Sequence, residues 1–312
     1  MTERGAVPHR RFLNLDPAAV QRWGDPFRPL EPACEFLQFD RPLTPGQLER
    51  AAALLTDRPD VQLYVYGRAG EDLEFLRYFR GLRRLHLALY DLKDIAGFSH
   101  LGGNLEELTF GSTKRQFSLA FAGQLPRLAK LFLVGHKKDI GRVAVLTGLT
   151  SLGLSGITLP DLSLLLPFTG LRELSIFLGG TTNLAMLSAF PRLESLFLMR
   201  ISKLSDLGVL AQMQGLTSLR LDWMRNVTCL PSFAQLQRLD NVVLDTMKGL
   251  ADLAPVAAAP QLRRLTVTAM PQLTPESFRC FLGHPSLSEL YAYTGKTTVN
   301  ASVKRMFPEI AR

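Results

Sequence analysis

The sequence predicts an α/β solenoid: an arc of stacked coils with a parallel β-sheet on the concave face and short helical, 3-10 or irregular turns on the convex face. Three observations point there. A leucine register recurs ten times, a second apolar cluster separates successive registers, and the positions alternating with the leucines are polar.

The register begins at Leu82, Leu105, Leu128, Leu149, Leu171, Leu193, Leu216, Leu239, Leu262 and Leu287, at spacings of 21 to 25 residues. Three positions on stand Leu85, Leu108, Leu131, Leu152, Leu174, Leu196, Leu219, Val242, Leu265 and Leu290. Two further on stand Leu87, Phe110, Leu133, Leu154, Ile176, Leu198, Leu221, Leu244, Val267 and Ala292. Residues two apart in a strand point to one side, so the second and third members of each unit enter a common interior. A single coil cannot bury that side alone, whereas stacked coils share a continuous core.

Beyond each strand a second cluster turns the chain back, as at Leu204, Leu207 and Leu210 or Leu250, Leu253 and Val256. Asp94, Asp161, Asp206 and Asp252 precede the middle members and read as caps for a short helical turn on the outer side. Pro126, Pro191, Pro260 and Pro285 stand two residues before the next unit, where proline stops that turn and extends the chain. Over about residues 60 to 295 the L-x-x-L-x-L units and the L-x-D-L cluster resemble the leucine-rich-repeat family, most closely its bacterial, internalin-type members. That family usually has Asn or Cys eight positions after the first leucine. Here the site holds Tyr90, Thr113, His136, Ile157, Gly179, Ile201, Met224, Met247 and Met270, so no asparagine ladder is present to set the turn.

Solenoid ends need covering. Cys34–Phe39 alternates like a strand, and Thr44-Pro45-Gly46-Gln47 reads as a capping box with proline at the first helical position. Leu48, Ala51, Ala52 and Leu55 then mark an amphipathic helix ending before Pro59, and Val61–Tyr66 alternates again. The stretch Phe12 to Phe27 is expected to pack on this cap or to form a mobile arm. Val303, Met306, Phe307 and Ile310 suit a closing element at the far end. The expected division is residues 1–59 as N-terminal arm and cap, 60–295 as the array, and 296–312 as C-terminal cap.

The chain is 46% hydrophobic and 21% charged, which is globular composition. No apolar run approaches the roughly 18 residues that cross a bilayer, and Met1–Val20 holds no signal-peptide core. Cys34, Cys229 and Cys280 are sparse and far apart, which fits a reducing compartment. The expected location is the cytoplasm, with export independent of a signal peptide left open, and no membrane partner is expected. The net charge of +8 collects in local groups: Arg77, Arg80, Arg83 and Arg84; Lys114 and Arg115; Lys137, Lys138 and Arg142.

Catalytic and ligand motifs do not accumulate. Gly295-Lys296-Thr297 resembles the tail of a phosphate loop, but Leu290 stands where that motif needs glycine, and no helix is expected after it. Cys280 and His284 are four apart, yet one pair cannot build a four-ligand zinc site. We therefore expect no enzyme activity, no metal and no cofactor.

The expected site is the concave face. Its first outward column, from Arg84 to Glu289, is polar throughout, whereas the next two carry large apolar side chains. Phe132, Phe177, Phe197 and Met199 are expected near the middle of the array, with Arg220, Asp222, Trp223 and Asp245 alongside. Aromatic anchors beside arginine compose interface hot spots. The leading expectation is a non-catalytic scaffold that binds a protein or peptide. Two alternatives stand beside it: a bacterial effector or immunity or inhibitor protein using the same surface, and a nucleic-acid binder using the basic groups. Asp222 and Asp245 within the face disfavour nucleic acid.

Overall fold

A computed structural model describes residues 12–15 and 30–311. The chain divides into two compact units, residues 1–149 and 150–312.

In the first unit the strands are β1 (Phe12–Asn14), β2 (Phe36–Phe39), β3 (Gln62–Tyr66), β4 (Arg84–Ala88), β5 (Glu107–Phe110) and β6 (Lys130–Val134). Each lies parallel to the next, with Leu37 opposite Leu63, Leu85 opposite Leu108, and Leu108 opposite Leu131. The expected capping box is present. Helix α1 (Pro45–Asp57) starts at Thr44, whose hydroxyl accepts the Gln47 N–H, and it buries Leu48, Ala51 and Leu55. Of the two alternatives expected for the stretch from Phe12, its first residues take the packed one: Phe12–Asn14 is a strand paired with Phe36–Gln38, and Leu15 behind it is buried. The remainder of that stretch, residues 16–27, lies outside the described residues.

The second unit holds β7 (Ser151–Ser155), β8 (Glu173–Phe177), β9 (Ser195–Met199), β10 (Ser218–Asp222), β11 (Asn241–Asp245), β12 (Arg264–Thr268) and β13 (Glu289–Tyr293). These are also parallel and paired in chain order. Short 3-10 segments such as Ala185–Ala189 and Gly208–Gln212 return the chain between strands, with helix α2 (Ala254–Ala257) doing so after β11. Helix α3 (Thr297–Met306) buries Val299 and Val303, and the chain beyond it joins the last strand, where the Leu290 N–H meets the Ile310 carbonyl. A helix thus does follow Gly295-Lys296-Thr297, contrary to expectation. Leu290, at the motif's glycine position, is a fully buried strand residue, so the segment remains the turn that starts the cap.

The register is observed as read. Every member of the three leucine columns is buried, and the first outward column is exposed or half-buried. The aspartates act as expected: Asp94, Asp161, Asp206 and Asp252 accept the N–H of Ala96, Ser163, Gly208 and Ala254 at 2.7–2.9 Å. Asp72 and Asn183 do the same for Glu74 and Ala185.

The missing asparagine ladder has a backbone replacement. In the second unit the residue after each of β7 to β12 is left-handed: Gly156, Leu178, Arg200, Trp223, Thr246 and Ala269 have φ between 50° and 67°. Each donates its N–H to the last carbonyl of the following strand, as Arg200 to Asp222 at 3.0 Å and Trp223 to Asp245 at 2.8 Å. The next residue then drops into the core. Ile157, Ile201, Met224, Met247 and Met270 are all buried. In the first unit His136 fills this position and is 0% exposed, with Nε2–H donating to the Gly111 carbonyl at 2.8 Å. Its ring lies flat on Phe110, centroids 3.9 Å apart.

Candidate functional site

The outward columns of β8 to β11 carry the side chains available to a partner. Because the strands are in register, Phe177, Met199, Asp222 and Asp245 form one row across the sheet, and Ser175, Phe197, Arg220 and Val243 form the neighbouring row. Phe177 and Phe197 meet edge to face, with centroids 4.6 Å apart and planes at 67°, a geometry worth about 1 kcal/mol beyond area burial. Arg220 spreads over the Phe197 ring at 4.7 Å. The same guanidinium grips Asp222, with Nε 2.9 Å and 3.1 Å from the two carboxylate oxygens.

Six of the residues expected from sequence are thus assembled around β8–β11: Phe177, Phe197, Met199, Arg220, Asp222 and Asp245. Trp223 directly follows, at the left-handed position after β10 and 36% exposed. Phe132 is half-buried on β6 and belongs to the first unit. One placement needs correction. Asp222 does not stand in solvent; only 4% of it is exposed, because Arg220 closes over it. Burial pushes its carboxyl above the ordinary carboxylate range, Arg220 pulls it back down, and Asp245 adds to the rise. Its role is to hold Arg220 against Phe197.

The structure adds Arg200, which sequence reasoning passed over. Arg200 stands one repeat before Trp223 in the left-handed column, and its guanidinium lies over the indole at 4.5 Å. Extending the columns one residue past the strand end names Arg200 from sequence, but its contact with Trp223 is set by the left-handed backbone at both residues. Arg200, Ser202, Trp223, Arg225 and Asn226 line an open groove of about 460 Å³.

No group of three or more His, Cys, Asp or Glu among the described residues is placed to hold a metal. Cys280 and His284 do not share a helical face. Cys280 lies in the 3-10 segment Pro275–Phe281, one residue before its end, and its thiol is pushed up to about 11 by burial. His284 serves the backbone: Nε2–H donates to the Ala259 carbonyl at 3.0 Å, and Nδ1 accepts the N–H groups of Ser286 and Leu287. No helix among the described residues is long and apolar enough to cross a membrane.

No family model matches the chain, and no curated protein does. Among solved structures, an internalin (InlF) of Listeria monocytogenes is similar over 84% of this chain and 74% of its own, with 21% identity and a TM-score of 0.58. A leucine-rich-repeat protein of Leptospira interrogans is similar over 90% of this chain and 84% of its own, with 15% identity and a TM-score of 0.54. At such identities the likeness speaks for the fold, and that fold is the leucine-rich-repeat solenoid of bacterial proteins.

Proposed function

We propose that this leucine-rich-repeat protein is a non-catalytic binding scaffold that grips a protein or peptide on the strand face of its second unit. One observation carries the reading: Phe177, Phe197 and Met199 sit on solvent-facing strand positions beside an arginine already oriented by a covered carboxylate. Aromatic rings and a braced guanidinium on a rigid sheet lose little freedom on docking, so binding costs little entropy. The effector, immunity and inhibitor roles are forms of the same activity, and the cytoplasm is its proposed site.

The test is a tagged pull-down from nuclease-treated lysate, with a Phe177→Glu/Phe197→Glu variant beside the wild type and circular dichroism confirming the fold of both. A protein captured by the wild type and lost with the variant is the expected result. Equal capture would move the site off this face.

A second reading has its own support. Lys114 and Arg115 recur one repeat later as Lys137 and Lys138, with Arg142 beyond, and these exposed side chains make no ion pair among the described residues of the first unit. If they track nucleic acid, omitting nuclease should recover it with an affinity that falls steeply with salt.

A further inference from the structure

The groove beside Trp223 has a charge imbalance that the strand face does not. Arg220 has its carboxylate in Asp222, but Arg200 and Arg225 make no hydrogen bond or ion pair with any acid among the described residues. Asn226 is committed to the wall, its Nδ2–H donating to the Ser202 carbonyl at 2.7 Å. The Arg200 guanidinium lies over the indole at 4.5 Å, and its N–H donors, unmatched by any acid among the described residues, are available to a planar anion. Trp223 is fixed by its backbone N–H on the Asp245 carbonyl and by the buried Met224 that follows it. The site therefore offers two uncompensated cations and a rigid apolar plate in one open depression.

We propose that this groove receives an acidic loop or tail of the partner protein, with carboxylates on Arg200 and Arg225 and an apolar side chain against Trp223. The inference rests on the reading of the second unit as a protein-binding face and names the chemistry of what it binds. Carboxylates fit better than a phosphate backbone, because a polyanion needs a continuous basic track. Here Asp245 occupies the adjoining row.

The experiment is fluorescence anisotropy on the full chain with three labelled probes: a short peptide with glutamates flanking one leucine, the same peptide with glutamine for glutamate, and oligothymidine. The wild type is expected to bind the glutamate peptide at least tenfold more tightly than the other two. Arg200→Gln and Arg225→Gln should each weaken it roughly fivefold, as for an exposed charge pair, and Trp223→Ala should weaken it as well. Arg238→Gln, an exposed arginine that does not line the groove, should leave the peptide affinity unchanged. The peptide affinities report on the groove and the pull-down with Phe177→Glu/Phe197→Glu reports on the aromatic patch, so failure of one is distinguishable from failure of the other. Equal binding of the glutamate and glutamine peptides, affinity indifferent to the arginines, or no binding at millimolar peptide would overturn the proposal. So would preferred binding of oligothymidine, which would assign the groove to nucleic acid.

Discussion

Single residues here resolve conflicts between the backbone and the core. His136 is the clearest. Its Nε2–H must donate to the Gly111 carbonyl, so Nδ1 is left as an acceptor, buried and without a partner among the described residues. Protonation would set a charge in a dry site, and burial accordingly lowers the imidazole's pKa below its ordinary value of 6.5, the Gly111 carbonyl opposing in part. Burial lowers His86 in the same direction. The sign follows from linkage: the unfolded chain takes up these protons first, so stability is complete above about pH 6.5 and is lost as pH falls from there toward the lower folded values. Urea unfolding at pH 7.5, 6 and 5 should show a midpoint that declines with acid. In His136→Gln the decline should be shallower, and an identical slope in that variant would acquit His136.

At the scale of the element, each coil depends on a short turn too small to hold itself together. A five-residue 3-10 segment such as Gly208–Gln212 has no helical length to stabilise it, so its start must be set from outside. Asp206 and Asp252 do this by accepting an N–H two residues on. Replacing either by alanine should cost about 1 kcal/mol. The double variant should cost about 2 kcal/mol, because the two lie two coils apart and share no partner. Chemical denaturation of Asp206→Ala, Asp252→Ala and the double variant measures this. A double variant no worse than either single one would mean that the turns are held by packing alone. The left-handed column is the other recurring device. Leucine, arginine, tryptophan and threonine pay to adopt a conformation that favours glycine, and the inter-coil hydrogen bond together with the buried methionine or isoleucine behind it offsets that strain.

Across the whole molecule the principle is that no coil is stable without a neighbour. The last strand, β13, is covered by α3 and the residues after it, which bury Val299, Val303 and Phe307 and pair with Leu290. Burial of three such side chains contributes about 5 kcal/mol. Removing residues 297–312 should therefore lower the thermal midpoint and leave β13 with an open edge, a template for pairing with another chain. Light scattering on the truncated chain should detect self-association. A monomer with an unchanged midpoint would show that the array closes itself.

How much of this was legible beforehand follows from the kind of interaction involved. Burial is a property of residue type and spacing, so the leucine register, the aspartate caps at 94, 161, 206 and 252, the prolines at 126, 191, 260 and 285 and the Thr44 capping box could all be read from sequence. The polar alternate column likewise marked the open face before any coordinates did. What depends on the partner across the coil could not be read. That Asp222 is covered rather than exposed depends on Arg220 closing over it from the same strand, and that Arg220 also lies on Phe197 depends on the β9–β10 register. That His136 substitutes for an asparagine depends on a carbonyl 25 residues away. That Arg200 and Trp223 form one wall depends on both taking left-handed φ, which nothing in those residue types favours. Local chemistry determined the coil. The close approach of one coil to the next decided which side chains are spent on holding the fold and which are left for a partner.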